Sequence, residues 1–303
     1  GQGVKIGMVD TFDATLLDQE IYAGELPPIP TDHRTCIDSG QPCPFGTPGA
    51  RGGNALAEGI ADMAPGVDFY LAELGSVTDF VPAIDWFAAN GVTILEFPST
   101  VPFDGPGDGT GPADWIVDYA STKGMMWFNS AGDAAKWPTD EYIYVGAYWR
   151  GVWNDPDYDR WLNFSGTDES LGAYCGALMG LRWSDWGASK TDYDLYVTDL
   201  NIATRGNSST KKLIGNANQA LAGAQPLEAN DFRWLCNSDP SLGPVYDTNH
   251  DGFVSLWVYR TTRTSASPTG DIIELMVQNG WLEYSTVAGS VAVPFADSKN
   301  PLE

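Results

Sequence analysis

Histidine is nearly absent from this sequence: there are two in 303 residues, His33 and His250. Cysteine is scarce too, at four, and 16 basic residues face 40 acidic ones. No apolar run approaches the roughly 20 residues that cross a bilayer, and no charged-then-apolar leader opens the chain. Each shortage removes a class of function. Two histidines and no Cys-x-x-Cys argue against a zinc site. A net charge of −24 repels nucleic acid and anionic membranes and favours cations or basic partners. The missing leader and span lead to the expectation of a soluble mature form, or of a trimmed one, with no membrane span. The bland reading of the charge is a solvated, aggregation-resistant surface, as in an extracellular setting.

What is abundant is apolar and aromatic material: 43% hydrophobic residues, with 12 Trp, 13 Tyr and 12 Phe, enough for a large core and two domains. The cysteines form a close pair, Cys36 and Cys43, and a distant pair, Cys175 and Cys236. An even count predicts two disulfides in a secreted or extracytoplasmic protein, with free buried thiols as the alternative.

Two textures divide the chain. VKIGMVD (4–10), VDFYLAEL (67–74), VTILEF (92–97) and MMWFNSAG (125–132) read as parallel strands apolar on both faces. Between them, residues 54–64, 78–91 and 113–124 place apolar side chains at helical spacing and end at Gly or Pro. From about residue 150 the pattern becomes short alternating segments parted by Gly, Asn, Asp and Ser, among them DYDLYVTDL (192–200) and FVSLWVYRTT (253–262). The expected architecture is an α/β domain over 1–150, an antiparallel β-sandwich of jelly-roll type over 151–290, and a tail over 291–303 returning to the first domain.

In an open parallel sheet, chemistry gathers at the carboxyl ends of the strands. Asp10, Glu96 and the run Asn129 to Asp133 stand there. Four ordered segments then carry a specific resemblance: GVKIGMVDTFDA (3–14), NALAEGIADMAPGVDFYLAEL (54–74), GPGDGTGPADWIVDYASTKGMMWFNSAGD (105–133) and DYDLYVTD (192–199). The chain resembles a subtilisin-like serine peptidase of the bacterial subgroup with a β-sandwich inserted before the catalytic Ser. The resemblance implies a secreted endopeptidase with Asp, His and Ser in that order and an oxyanion Asn. Asp10 matches the orienting Asp. At the His position stands Gly52, preceded by Arg51, and neither is a general base at neutral pH. At the oxyanion Asn stands Asp133, whose charge opposes a developing oxyanion. The segment GTSxAxP has no counterpart: GTDES (166–170) interrupts the pattern, and the sequence ends after SVAVPFADSKNPL (290–302), where the Ser-bearing strand and helix are expected. Pro98 and Pro102 remove donors from the strand that would pair with a peptide substrate. His33 and His250 read as surface or structural.

The expectation is therefore an inactive copy retained for binding or scaffolding, with a truncated piece of an active protease as the alternative. Acidic loops add a structural Ca²⁺ expectation, since Asp247, Asn249 and Asp251 followed by Gly252 space their oxygens for one hard cation, and Asp155, Asp157 and Asp159 repeat the spacing without the Gly. An Asp/Asn/Gly turn is the plainer reading of each. No organic cofactor is implied. Trp149, Trp153, Trp161, Trp183, Trp186, Trp234 and Trp257 raise a third alternative, a carbohydrate- or protein-binding module, with a peptide, protein or glycan as the partner.

Overall fold

The structure is a computed structural model that describes residues 1–99, 103–132, 147–174, 178–186, 191–199, 212–215, 226–230, 253–261, 270–278, 282–286 and 301–302. The chain divides into two compact units, Gly1–Thr100 with Pro112–Ala131 and Phe295–Glu303, and Val101–Gly111 with Gly132–Pro294.

The first unit is a parallel sheet with helices. Its strands are β1 (Lys5–Val9), β2 (Arg34–Ile37), β3 (Asp68–Leu74), β4 (Ile94–Phe97) and β5 (Met126–Asn129), with helices α1 (Ala14–Ala23), α2 (Gly52–Met63), α3 (Phe80–Ala89) and α4 (Asp114–Thr122). A short strand, Pro301–Leu302, pairs in parallel with β5, so the order runs from that strand through β5, β4, β1 and β3 to β2.

Register decides which side chains share a face. Ile6 and Met8 of β1 stand opposite Phe69 and Leu71 of β3 and opposite Ile94 and Glu96 of β4. These β1 and β3 residues pack with Leu17, Ala57 and Ala61, so α1 and α2 cover this first face. The intervening residues point the other way. Gly7 is bare because a Cβ there would sit 2.9 Å from the ring of Phe87 in α3. Phe80 stacks edge-on to Phe97 and meets Trp127, while Lys123 and Tyr119 of α4 both reach Asp85 of α3. Helices α3 and α4 therefore cover the second face.

The crossovers from β2 to β3, β3 to β4 and β4 to β5 all move the same way across the sheet, yet α2 lies on one face and α3 and α4 on the other. Their hands are opposite, although about 98% of such crossovers share one hand. The consequence is local: the amino end of α2 lies over the carboxyl end of β1.

Burial on both faces, expected of all four strands, fails at β5. Trp127 and Asn129 are buried, but Met126 and Phe128 are exposed. Nothing among the described residues covers the first face beyond β4.

The second unit holds two antiparallel sheets. With β6 (Ala147–Val152), β7 (Leu171–Tyr174), β8 (Leu178–Trp183), β9 (Tyr193–Asp199), β10 (Lys212–Gly215), β11 (Leu227–Asn230), β12 (Phe253–Arg260) and β13 (Ile272–Gln278), one sheet has the order β10-β9-β12-β7 and the other β11-β8-β13-β6. The Pro301–Leu302 strand is β14. Alternate side chains from the two sheets, such as Leu195, Val197, Leu256 and Val258 against Leu181, Trp183, Ile273 and Leu275, form one core. Residues 103–111 join this unit through buried Arg182: its Nη1 donates to the Gly105 carbonyl at 3.1 Å and its guanidinium lies 4.1 Å from the Phe103 ring centre. Glu274 accepts from the same guanidinium at 2.8 Å, which satisfies the buried charge.

Cys36 and Cys43 are bonded. Cys175 and Cys236 lie outside the described residues. Among the described residues, no helix is long and apolar enough to cross a membrane.

Candidate functional site

Asp10 closes β1 at the carboxyl edge of the sheet, where its Oδ1 accepts from the Thr11 amide at 2.7 Å. Glu73, at the same level of β3, is 5% exposed and accepts from the amides of Phe12 and Gly46, each at 2.8 Å. A buried carboxylate with two amide donors is a satisfied fixture, and this one holds the loop after Asp10 in place. Asn54, fully buried in α2, completes the frame: its Oδ1 accepts from the Asp13 amide at 3.0 Å and its Nδ2 donates to Glu20 at 2.9 Å. Asp13 in turn caps α1 through the amides of Thr15 and Leu16.

Two glycines open α2. At Gly53 a Cβ would lie 2.5 Å from the Phe12 ring and 2.8 Å from the Thr11 carbonyl, so packing demands glycine there. Gly52 is exposed, and a Cβ on it would meet only Asp10, with Oδ2 at 3.6 Å. Its side chain would lean on the carboxylate. The position therefore has room and direction for a group that Asp10 would orient, and the sequence supplies none.

Burial pushes the Asp10 carboxyl up, the Thr11 amide pulls it down, and Glu73 adds a smaller upward push. Glu96, one strand over on the same face, is pushed up to about 8 by burial and then by the charge of Asp10. Its Oε2 is shielded from solvent and has no hydrogen-bond partner. Beside Asp10, on the second-face side, a cleft of about 220 Å³ has apolar walls from Val9, Leu74, Val77, Phe80 and Phe97 and a polar rim that includes Ser76 and Ser99.

The other expected residues fall elsewhere. His33 Nδ1 lies 3.1 Å from Asp68 and its ring stacks on Tyr70 at 3.9 Å. Asp68 opens β3 while Glu73 lies near its end, a separation of about 16 Å along an extended strand. His33 is no substitute base for Asp10. Asn129 is buried on the second face, where it accepts from Trp127 Nε1 at 3.2 Å and donates to the Ser130 carbonyl at 2.8 Å, so it does not meet Asp10. Asp133, His250, and the candidate cation ligands Asp247, Asn249 and Asp251 lie outside the described residues. Asp155, Asp157 and Asp159 converge in the loop after β6, with one oxygen from each within 4.8 Å of the others, a spacing that fits one hard cation. Among the tryptophans, Trp149, Trp153, Trp183 and Trp257 are buried, Trp161 packs edge-on against Tyr196 and Trp257, and Trp234 is outside the described residues.

Sequence reasoning missed Glu73 and Asn54. A Glu within the apolar run VDFYLAEL was the available signal, because a buried strand tolerates a carboxylate only when donors meet it.

No protein-family description and no curated protein matches the chain. Among solved structures it is similar to the CspB protease of Clostridium perfringens, at 10% identity and a TM-score of 0.43, over 94% of this chain and 66% of that one. The chain thus spans about two thirds of that protein's length.

Proposed function

We propose that the first unit is a subtilisin-like peptidase scaffold that has lost its general base, retained for binding rather than for peptide hydrolysis. The observation that carries this reading is the Asp10–Gly52 pair: a carboxylate at the end of the central strand, and opposite it a helix position aimed at that carboxylate without a side chain. Resemblance supplies the family, in four ordered segments, and the pair supplies the loss. Without an imidazole no serine anywhere in the chain is deprotonated by this site, and binding alone does not replace a nucleophile and its base. The bonded Cys36–Cys43 pair supports an extracytoplasmic setting. The Asp155, Asp157 and Asp159 loop supports a structural Ca²⁺ site.

The test is digestion of an unfolded protein such as casein, with and without Ca²⁺, beside an Asp10→Ala control. The expected result is no cleavage by either protein. Cleavage that disappears in the control would show that a replacement base serves Asp10 and would end this reading.

A further inference from the structure

One end of the sandwich core is short of hydrogen-bond acceptors. Arg260 closes β12 on the face that carries Leu256 and Val258, opposite Tyr193 of β9. It is 9% exposed, and its Nε and Nη1 are shielded from solvent without a hydrogen-bond partner. Among the described residues it forms no ion pair. Arg182, also buried, shows what such a group ordinarily receives: a carboxylate from Glu274 and a carbonyl from Gly105. Arg260 has neither. Its guanidinium stays protonated, so it cannot discard the charge, and a buried cation left unpaired is strongly destabilising.

The neighbouring groups do not make good the deficit. Asp271 Oδ2 accepts from the Tyr193 hydroxyl at 2.9 Å and Asp185 Oδ2 from the Thr191 amide at 3.0 Å, so both carboxylates are engaged elsewhere. Burial holds the Asp271 carboxyl up, and the downward pull of Arg260 ranks last among the influences on it, as suits charges that sense each other without touching. The Trp153 ring centre lies 5.4 Å from the guanidinium carbon. A ring face lends the charge a field but gives no lone pair to N–H groups. Trp183, fully buried and edge-on to the same Tyr193 ring, adds a second donor without an acceptor, its Nε1. A water would answer the N–H groups and leave the charge uncompensated. An oxyanion answers both, because its paired oxygens match the planar fork of the guanidinium. We propose that Arg260 is the binding site for an oxyanion, the carboxylate or phosphate-like group of a small ligand. The net charge of −24 opposes every anion at long range, so occupancy belongs in the millimolar range and at moderate salt. This goes beyond the pseudo-peptidase reading and does not depend on it.

The test is calorimetry of the full chain at one ionic strength, with sodium acetate, sulfate or phosphate replacing chloride up to about 50 mM, beside Arg260→Met. Binding should raise the melting temperature by about 3 °C along a saturating curve that the variant lacks. Exclusion of these salts from the surface gives instead a linear rise shared by both proteins. The variant itself should melt higher than the parent in chloride, since it keeps the bulk of the side chain and removes the uncompensated charge. Equilibrium dialysis of phosphate and of acetate against the parent needs no variant, and one saturable site per chain is expected. Binding of acetate alone assigns a carboxylate ligand, and binding of phosphate alone a tetrahedral one. The proposal is overturned by dialysis that finds no site, by a rise equal in parent and variant, or by an Arg260→Met protein that melts lower in chloride, since the guanidinium would then be satisfied within the fold.

Discussion

Gly52 and Gly53 are neighbours with different reasons for being glycine. Gly53 is held by the Phe12 ring and the Thr11 carbonyl, whereas Gly52 has only Asp10 in front of it. Gly52→His should therefore fold and seat an imidazole against the carboxylate. Its pKa, followed by NMR of the ring protons, is expected above the ordinary value of about 6.5, because the opposite charge outweighs the helix amino terminus. Adding Asp10→Asn should bring it back below that value. An unmoved pKa would mean that the two positions do not face each other. Glu96 makes a second prediction at this scale. Its folded pKa is about 8, raised above the unfolded carboxyl value, so the folded state holds the extra proton. The associated stability is complete below about pH 4.5 and is lost as pH rises through about 8. Glu96→Gln should remove that loss: little change at pH 4 and a gain on the order of 2 kcal/mol at pH 8.5, discounted because water still reaches part of the group. Urea denaturation at the two pH values measures both.

Among the elements, those with a strong period were legible in the sequence. The strands β1, β3, β4 and β5 and the helices α3 and α4 fall within the runs read as such, and α2 starts two residues before its run, at Gly52, because each repeats its apolar residues often enough to reveal a face. Helix α1 escaped although Asp13 and Gly24 cap it, since Leu17 is its single buried residue. Strand β2 escaped because RTCI is short and half-buried throughout. The exposed face of β5 was illegible for a different reason: MMWF is apolar on both sides, and the period records what a strand could bury and says nothing of what arrives to cover it. The Asp10–Gly52 pairing came from ordered motifs, since the two lie 42 positions apart and no local pattern joins them. The loop after β6 offers a prediction at this scale. Three carboxylates with oxygens within 4.8 Å repel one another, so Asp157→Asn should raise the melting temperature by about 1 °C in EDTA. Millimolar Ca²⁺ should reverse the order of variant and parent, and a calorimetric scan in each buffer decides it. An order that Ca²⁺ leaves unchanged would reduce the loop to an acidic turn.

For the whole molecule the dominant electrostatic fact is imbalance. With 40 acidic and 16 basic residues, at least 24 carboxylates have no cation of their own even if every basic group were paired, the difference being 40 minus 16. Screening by salt has two opposed effects: it weakens ion pairs such as Arg34–Asp18 and Lys123–Asp85, and it relieves repulsion among the surplus carboxylates. The pairs lose little, because pairs whose carboxylate is exposed, as Asp18 and Asp85 are, contribute about 0–1 kcal/mol each. The Arg182–Glu274 pair, buried on the arginine side, is hardly screened at all. Repulsion gains more, since at roughly 0.01 M salt the screening length of about 30 Å spans much of a domain and at 1 M it falls to about 3 Å. The melting temperature should therefore rise by several degrees between roughly 0.01 and 0.5 M sodium chloride. A chain in which six exposed carboxylates are replaced by Gln or Asn should start higher at low salt and rise less. A melting temperature that falls with salt would show that the native state depends on its few ion pairs more than it suffers from its surplus charge.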